Sequence, residues 1–420
     1  MSAVPSNSLV NVATYSNALL GSLMSINPWI GTLNHKYKNF TSGIVNNLGP
    51  SVLIEKPPLV SHANSLEAQF QGAQQRFETL TIDQPISIAL AFNSEQLVEN
   101  NINEYMSRWG EAAVNRAGSV IGNNLARHAL TDTYRFFGDG RTPITTRLQL
   151  MQMKAQFENY GSAAGTAKGY ISDLMVPSII GSDLNQFVGA RNDKEAASWE
   201  LTPSYDTNWY KTNILATHFA GTEGQNANNL LTITAVETQA DGGIIGLVCS
   251  GTTSANDVDC IKENDKLYFV DNVAGFPVNM RYLVWDTPIV SGNPVQMRAT
   301  ANAPAVSSSV TIPIFPPLYA TNDNNANINQ QVQAGMKVKV IGSRQCGLLT
   351  AGDPFYLAMP PLMDQDPFST SVARSKDGMS MRLTKGSRGP GSNFQGFVWD
   401  GIWGGKLMAE YGMEICIPLS

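Results

Sequence analysis

The feature that most constrains the fold is one long helical segment, residues 104–130, with the sequence EYMSRWGEAAVNRAGSVIGNNLARHAL. It contains no proline, and it would extend about 40 Å at the α-helical rise of about 1.5 Å per residue. Gly110, Gly118 and Gly122 interrupt it, and each costs a helix interior about 1 kcal/mol relative to alanine. Close packing of the backbone against a sheet or another helix is the usual compensation. The segment therefore predicts a stiff helix lying tightly on a neighbouring element.

The predicted helix has an apolar stripe and a polar face. Small or apolar residues recur with a period of 3.6 on the stripe, which comprises Ile102, Met106, Trp109, Ala113, Ala117 and Val120. On the polar face, Glu104 and Arg108 have the favourable i,i+4 spacing of an ion pair. Because the stripe carries alanine where a coiled coil would carry leucine or isoleucine, packing on a sheet is favoured over a coiled coil.

Charge is sparse along the whole chain. Charged residues make up 15% of the 420 residues, whereas about 25% is typical of soluble domains. A globular protein that works alone normally has a charged surface for solubility. The composition therefore suggests that neighbouring chains cover much of the surface.

Net charge and hydropathy exclude several classes of partner. The formal net charge of −6 disfavours nucleic-acid binding through phosphate contacts, which requires clustered lysine and arginine. No apolar run reaches the roughly 18 residues that span a bilayer. The first 35 residues contain no charged side chain, which predicts that no secretory signal is present.

Residues 1–47 are predicted to form an extended arm. A possible helix within it, residues 15–26, has its larger apolar residues on one face. These residues are Tyr15, Leu19, Leu23 and Ile26. Because no charged residue lies nearby, this face is expected to dock on another surface.

Residues 48–92 are predicted to form a projecting two-stranded loop. Its strands are SVLIEKPPLV, residues 51–60, and PISIALAF, residues 85–92, with a long polar tip between them. Pro57 and Pro58 require an extended, non-central position in a sheet. Since a two-stranded projection is only marginally stable alone, its tip is expected to rest on another surface.

Residues 222–322 differ in character from the rest of the chain. They contain several short β-rich runs separated by turn residues, and almost no helical periodicity. This pattern predicts a small all-β barrel or sandwich inserted into an α+β domain. The chain is expected to close with a strand pair formed by GMSMRLT, residues 378–384, and KLMAEYGMEICIPL, residues 406–419.

Motifs for catalysis, cofactor binding and metal binding are missing. The run GIWGGKL, residues 401–407, lacks the first glycine and the terminal serine or threonine of a phosphate loop. The four histidines have no metal-ligand spacing, and the cysteines Cys249, Cys260, Cys346 and Cys416 form no CxxC pair. We therefore predict a non-enzymatic protein without cofactor or metal, whose cysteines are reduced, mostly buried thiols.

The order of these segments resembles a known family. The arm, the loop containing IEKPP, the run AFNSEQL and the long helix are followed by DLMVP, TNWYKTNILATHFAGT, ENDKLYFVDNVAGFPVN, AGDPFYLAMPPL and WDGIWGGKLMAEYGMEICIPL. Together they resemble the major capsid proteins of tailed bacteriophages. The resemblance is to the P-twenty-two-type coat protein family, which has the Hong Kong ninety-seven fold, and it covers nearly the whole chain.

The resemblance implies an α+β capsid fold with an inserted all-β barrel-like domain. Its parts would be an N-terminal arm (1–47), an E-loop (48–92), a P-domain with a spine helix (93–137), a first part of the A-domain (138–221), the inserted domain (222–322), a second part of the A-domain (323–395) and C-terminal P-domain strands (396–420).

The resemblance also implies a function. The chain would self-assemble into the hexamers and pentamers of an icosahedral procapsid, with a scaffolding protein and a portal protein as partners and decoration or cement proteins as further candidates. The shell would expand during maturation and enclose double-stranded DNA without sequence-specific binding. Assembly would take place in the host bacterial cytoplasm, and the mature location would be the virion.

Twelve residues are candidate assembly contacts on this reading. They are Tyr15, Leu19, Leu23, Ile26, Lys56, Pro57, Pro58, Glu104, Arg108, Trp109, Gly118 and Gly122. Lys56 is the only lysine of the projecting loop, and some shells of this fold join such a lysine covalently to a neighbour's asparagine. An ordinary solvated lysine is the favoured interpretation. The hairpin VETQADGGIIGLV, residues 236–248, has a short tip, which leaves open whether the inserted domain bridges neighbouring capsomers.

Three other classes of protein are alternatives. A bacterial protein nanocompartment has a similar shell, but generally lacks an inserted β domain. An extracellular β-rich glycan-active enzyme or binding module would require a signal peptide or an acidic pair in a cleft. A tail-tube or decoration protein is disfavoured by the long helix and by the length of the chain.

Overall fold

A computed structural model of the chain describes residues 20–21, 23, 27–35, 51–59, 74–93, 109–159, 166–184, 207–270, 294–320, 327–328, 331–362, 370–374, 379–387 and 394–419. The chain divides into two compact units, each assembled from separate segments. Unit 1 comprises Met1–Ile54, Glu78–Leu125 and Phe355–Lys406, and unit 2 comprises Glu55–Phe77, Ala126–Pro354 and Leu407–Ser420. None of the helices described here combines the length and the apolar character needed to span a bilayer.

Five α-helices, one 3-10 helix (Ala409–Tyr411) and twenty-one strands are described. The helices are α1 (Pro28–Gly31), α2 (Glu111–Thr131), α3 (Arg147–Asn159), α4 (Val176–Leu184) and α5 (Thr222–Gln225). The strands of the first half are β1 (Ser51–Leu59), β2 (Gln74–Thr81), β3 (Gln84–Asn93), β4 (Phe136–Phe137), β5 (Ala167–Ser172), β6 (Thr207–Thr212), β7 (Ala216–His218), β8 (Leu231–Thr238), β9 (Ile244–Ser250) and β10 (Asp257–Ile261).

The remaining strands follow in the second half of the chain. They are β11 (Lys266–Val270), β12 (Gln296–Ala299), β13 (Ala303–Val306), β14 (Ser309–Leu318), β15 (Lys337–Val340), β16 (Arg344–Ala351), β17 (Phe355–Ala358), β18 (Thr370–Arg374), β19 (Ser380–Ser387), β20 (Phe394–Leu407) and β21 (Gly412–Pro418).

The predicted long helix is present as α2. Its buried face repeats with helical spacing, and Gly118 and Gly122 lie on that face. The Asn27 side chain donates a hydrogen bond to the Gly118 carbonyl at 3.4 Å, so another segment approaches the helix backbone closely at this glycine.

The apolar stripe of α2 is rotated from its predicted position. Ala113 and Ala117 are buried as expected, but Trp109 is 53% exposed and Val120 is only half-buried. The buried face instead continues through Ile121 and Leu125, which follow Ala113 and Ala117 at the i,i+4 spacing of one helix face. Residues 104–108 of the predicted helix, and Ile102 of the predicted stripe, lie outside the described part of the chain.

Unit 1 is built on a five-stranded sheet with the order β17-β20-β19-β18, in which β3 also pairs with β20. The predicted alternation of β3 is confirmed, since Ile86 is buried while Ser87 and Ala89 are exposed. Its predicted partner is wrong: β3 runs antiparallel to β20, from Asn93 opposite Phe394 to Gln84 opposite Trp403. The strand that pairs with β1 is instead β2, QQRFETLT.

Unit 2 contains a mixed six-stranded sheet with the order β4-β21-β16-β5-β6, and β7 also pairs with β16. The β21–β4 and β5–β6 pairs are parallel. Helices α3 and α4 cover one apolar face, where Leu150, Met153 and Ile179 pack with Leu349 and Ile415.

The predicted closing strand pair is a second correction. The strand β21 pairs with β16 and β4 in the mixed sheet of unit 2, whereas β19 pairs with β18 and β20 in unit 1. Two β-prone runs that are close in sequence can belong to different sheets, and the sequence pattern does not show this.

The predicted β barrel is present in unit 2. The strands β14, β12, β11, β15, β8 and β9 follow one another around a ring, and an additional β14–β9 pairing closes it. The β13 and β10 strands extend the sheet beyond β14. Because β15 pairs with β8 and β11, the sheet continues to Val340, beyond the 222–322 span expected from the sequence.

Candidate functional site

The β1–β2 ribbon has one covered face and one exposed face. Val52 and Ile54 of β1 are 7% and 5% exposed, and Leu80 of β2 is fully buried. In contrast, Leu53 of β1 is 65% exposed and Phe77 of β2 is 51% exposed. Large apolar side chains of both strands therefore face outward on a ribbon that is marginally stable by itself.

An ion pair within unit 2 holds the β1 strand of the ribbon. The Lys56 ammonium lies 3.3 Å from a carboxylate oxygen of Glu410, and the two side chains are 13% and 19% exposed. The interpretation of Lys56 as a solvated lysine is therefore wrong, because its ammonium is half-buried and paired within the same chain.

A second ion pair, within unit 1, holds the β2 strand. The Lys406 ammonium lies 3.3 Å from a carboxylate oxygen of Glu78. Close by, a Cβ added at Gly404 would collide with the carbonyl oxygen of Thr81. The end of β2 therefore approaches the backbone of β20 at a distance that only glycine permits.

Part of the predicted arm is docked within unit 1. Leu23 is fully buried, so its side chain packs within its own chain rather than on the surface of another. The Trp29 ring meets Phe355 edge-on, with a centroid distance of 6.3 Å. Asn34 forms a parallel bridge with Tyr356, which adds a short strand-like contact beside β17.

The other candidate contacts have varied positions. Pro57 and Pro58 lie in β1, and Gly118 and Gly122 are buried on α2. Trp109 is exposed in the turn before α2. Five candidates lie outside the described residues: Tyr15, Leu19, Ile26, Glu104 and Arg108.

The β8–β9 hairpin has a compact tip that is satisfied within the chain. The Gln239 N–H donates to the Gly243 carbonyl at 2.8 Å. The Asp241 carboxylate accepts from the Gly243 N–H at 3.0 Å and from the Tyr319 hydroxyl at 2.8 Å. The bond from the Gly243 N–H, followed by the bond from the Tyr319 hydroxyl, lowers the pKa of Asp241. The tip is therefore a closed turn that lies against its own barrel.

Unit 2 contains a buried cluster of three charges, which we call the charge cluster: Lys266, Arg344 and Glu414. All three side chains are fully buried. The Arg344 Nε lies 2.5 Å from one Glu414 carboxylate oxygen, and the Lys266 Nζ lies 3.1 Å from the other. Strand β11 of the barrel supplies Lys266, whereas β16 and β21 of the mixed sheet supply the other two.

The charge cluster strongly perturbs the titration of its members. Burial alone would raise the pKa of Glu414, but the positive charges of Arg344 and Lys266 hold it at about 2. Burial lowers the pKa of Lys266 and outweighs the opposing effect of Glu414. For Arg344, burial works against the charged form, yet Glu414 raises the pKa of the guanidinium. Glu414 is therefore ionised at neutral pH, as the pairing requires.

A buried histidine–aspartate pair lies near the charge cluster. The His218 Nε2 is 2.7 Å from an Asp265 carboxylate oxygen. The other Asp265 oxygen accepts from the backbone N–H groups of Gly221 and Lys262 at 3.1 and 2.8 Å. Both side chains are buried, and the Asp265 carboxylate ties His218 to the backbone of Gly221 and Lys262.

The four cysteines are free and buried, as predicted. Burial raises the pKa of Cys249 to about 12, which makes it an unreactive thiol at neutral pH. In the part of the chain that the structure describes, no group of three or more His, Cys, Asp or Glu side chains is placed to hold a metal ion.

Sequence reasoning missed the charge cluster. A usable signal was present, because Glu414 stands alone in the apolar run GMEICIP and Lys266 begins the run KLYFV. An isolated charge within a fully buried strand generally requires a partner of opposite charge.

The chain is similar, at low sequence identity, to several solved bacteriophage structures. The capsid of Ralstonia phage GP4 is 8% identical with a TM-score of 0.44, and the match covers 89% of this chain and 85% of that one. The capsid of cyanophage P-SCSP1u is 11% identical with a TM-score of 0.41 and the same coverage. A Mycobacterium phage Che8 structure is 7% identical with a TM-score of 0.42, over 91% of this chain and 89% of that one. No family model and no curated protein matches the sequence.

Proposed function

We propose that this chain is the major capsid protein of a tailed double-stranded DNA bacteriophage, with a Hong Kong ninety-seven-type fold and an inserted β barrel. Its role is structural rather than catalytic. Many copies form the hexamers and pentamers of an icosahedral shell, which is assembled as a procapsid in the host cytoplasm and becomes part of the virion.

The observation that carries the proposal is the exposed apolar face of the β1–β2 ribbon. Leu53 and Phe77 are 65% and 51% exposed, and burying such side chains is worth about 1.5–3 kcal/mol each. A chain with only 15% charged residues has little else to keep a projecting ribbon soluble. A ribbon that lies across a neighbouring copy would bury these apolar side chains and would not need charged residues to stay soluble.

Two further features support a shell subunit. The helix α2 has glycines on its buried face, which suits a stiff element packed closely within a thin wall. Residues 27–35 are docked in unit 1, and Leu23 is buried. Within the arm, the contacts with neighbouring copies are therefore proposed for Tyr15, Leu19 and Ile26. The proposed domain boundaries are those implied by the resemblance, with the inserted domain extended to Val340.

The proposal names several partners. A scaffolding protein directs assembly, a portal protein occupies one vertex, and decoration or cement proteins are candidates for the outer surface. DNA is enclosed without sequence-specific contacts, in agreement with the net charge of −6. No membrane partner is proposed.

Assembly can be tested directly by expressing the chain and imaging the product by negative-stain electron microscopy. Closed shells, spirals or tubes are expected. A monodisperse monomer that hydrolyses glycans would contradict the proposal and favour the enzyme alternative. Particles that load protein cargo but no DNA would favour the nanocompartment.

The role of the ribbon can be tested with the double variant Leu53→Glu/Phe77→Glu. Both positions are exposed, so the monomer is expected to fold with an unchanged circular dichroism spectrum. Two carboxylates on the docking face must lose their hydration on contact, so we expect particle yield to fall at least tenfold. Val258→Glu is the matched control, because Val258 is 81% exposed on the barrel; it should assemble normally. Normal shells from the double variant would exclude the ribbon as a contact.

A further inference from the structure

The barrel is joined to the rest of unit 2 by polar contacts that are buried. The Lys266 ammonium reaches out of the barrel to the segment that ends α2. It donates to the Leu130 carbonyl at 3.0 Å, to the Thr133 hydroxyl at 3.1 Å and to the Thr133 carbonyl. These carbonyls belong to the last turn of the helix and the residues after it, where backbone acceptors lack partners within the helix.

Charge balance explains why a lysine is stable at this position. The charge cluster contains two cations, Lys266 and Arg344, and only one anion, Glu414. The C-terminal end of an α-helix carries a partial negative charge of roughly half an elementary charge. The end of α2 and Glu414 together therefore form a cation site, and the Lys266 ammonium occupies it.

A second contact joins the same elements. The Gln296 side-chain amide, on β12 of the barrel, accepts from the Phe136 N–H at 2.9 Å and donates to the Phe136 carbonyl at 2.8 Å. Phe136 belongs to β4 of the mixed sheet, five residues after the end of α2. Both side chains are buried, Gln296 to 3% and Phe136 to 4% exposure. The amide thus takes the place of a strand partner for β4.

Arg344 completes the connection from the side of the mixed sheet. Its guanidinium donates to the carbonyls of Asn264, in the turn before β11, and Gly342 at 3.2 and 3.4 Å. The bonds of Lys266 and Gln296 and the Arg344–Asn264 bond would leave buried donors or acceptors unpaired if the barrel moved away. An unpaired buried polar group costs about 1–3 kcal/mol, and more when it is charged.

We propose that Lys266 acts as a clamp that makes the barrel, the mixed sheet and the C-terminal end of α2 open and close as one cooperative unit. The barrel then does not move as a separate body about the chain segments that enter it before β8 and leave it after β15. Movement of the barrel requires the last turn of α2 to lose its cap at the same time. This inference does not depend on the proposed function, since it concerns a single chain.

Hydrogen exchange of the full-length chain, measured by mass spectrometry, tests the clamp. The variant Lys266→Met keeps the apolar stem and leaves the Arg344–Glu414 pair intact. We expect exchange in peptides covering residues 126–133 to rise about tenfold or more, because hydrogen bonds to a charged group are lost. Peptides covering β11 and β12 should rise with them, whereas α3, residues 147–159, should keep its protection.

A matched substitution and a milder variant complete the experiment. Lys339→Met changes the same residue type on the neighbouring strand β15, where the side chain is half-buried, and it should leave all peptides unchanged. If Lys266→Met does not accumulate as folded protein, Lys266→Gln, which keeps a donor, should show a smaller rise in the same peptides. Parental protection of residues 126–133 in the variant that folds would overturn the proposal. An equal rise in all peptides, α3 included, would also overturn it, because it indicates a general loss of stability.

Discussion

At the scale of single residues, the most consequential side chain is Glu414. It is the only anion between two buried cations, and its removal would leave both uncompensated. Breaking a buried ion pair by removing one partner typically costs about 3–5 kcal/mol. We therefore expect Glu414→Gln to lower the free energy of unfolding by this amount at pH 7, measured by urea denaturation.

The same residue gives a pH dependence with a definite sign. The pKa of Glu414 is about 2 in the folded chain, below its ordinary value of 4.5. Its contribution, about 3 kcal/mol, is complete above pH 4.5 and is lost as the pH falls towards 2. The stability difference between the parent and Glu414→Gln should therefore shrink over this range. A difference that stays constant down to pH 2.5 would show that Glu414 titrates normally.

Individual residues also show which features could be predicted from the sequence and which could not. The alternation of β3 and the burial of the four cysteines were predictable, because each depends on local pattern or residue type. The pairing of Lys56 with Glu410 and of Lys266 with Glu414 was not, because a sequence does not show which charges the fold brings together. The isolated charges in the apolar runs GMEICIP and KLYFV were the local indications of the second pair.

At the scale of elements, the close approach of β2 to β20 depends on Gly404. A Cβ at this position would collide with the Thr81 carbonyl and lie 3.0 Å from the Cα of Ile82. Because neither backbone atom can rotate away, Gly404→Ala should destabilise the protein by about 1–3 kcal/mol. Thermal unfolding measures the effect.

A second glycine of unit 1 provides the control. Gly21 has helical backbone, is exposed, and has no atom within 4 Å of an added Cβ. Gly21→Ala should therefore leave the melting temperature unchanged or raise it slightly. If both variants melt like the parent, the contact between β2 and β20 is looser than the structure shows.

The elements were predictable to different degrees. The helix α2 and the barrel follow from strong local periodicity and from regularly spaced turns. The strand β2 was missed because its sequence, QQRFETLT, is mostly polar, since only one face of the ribbon is covered. The partner of β3 lies in the last part of the chain, so no local rule could have identified it.

At the scale of the whole molecule, sparse charge leads to a prediction about salt. If apolar contacts such as those of Leu53 and Phe77 hold the copies together, screening should not separate them. At about 1 M salt the Debye length is roughly 3 Å, so ionic contacts between exposed groups would be largely lost. We expect assembled particles to sediment unchanged in 1 M NaCl. Dissociation into subunits would show that charged groups, rather than the ribbon face, supply the main contacts.

The short turn of residues 239–243 has a practical consequence. It connects β8 and β9, which belong to a ring of strands closed by the β14–β9 pairing, and Gly242 has open space around it. A foreign peptide grafted after Ala240 would interrupt the bonds of the turn itself, which are those of Asp241 and those that join Gln239 to Gly242 and Gly243. The ladders on both sides would still hold the ring. If the chain assembles as proposed, a peptide at this turn would be repeated once for every copy in a particle.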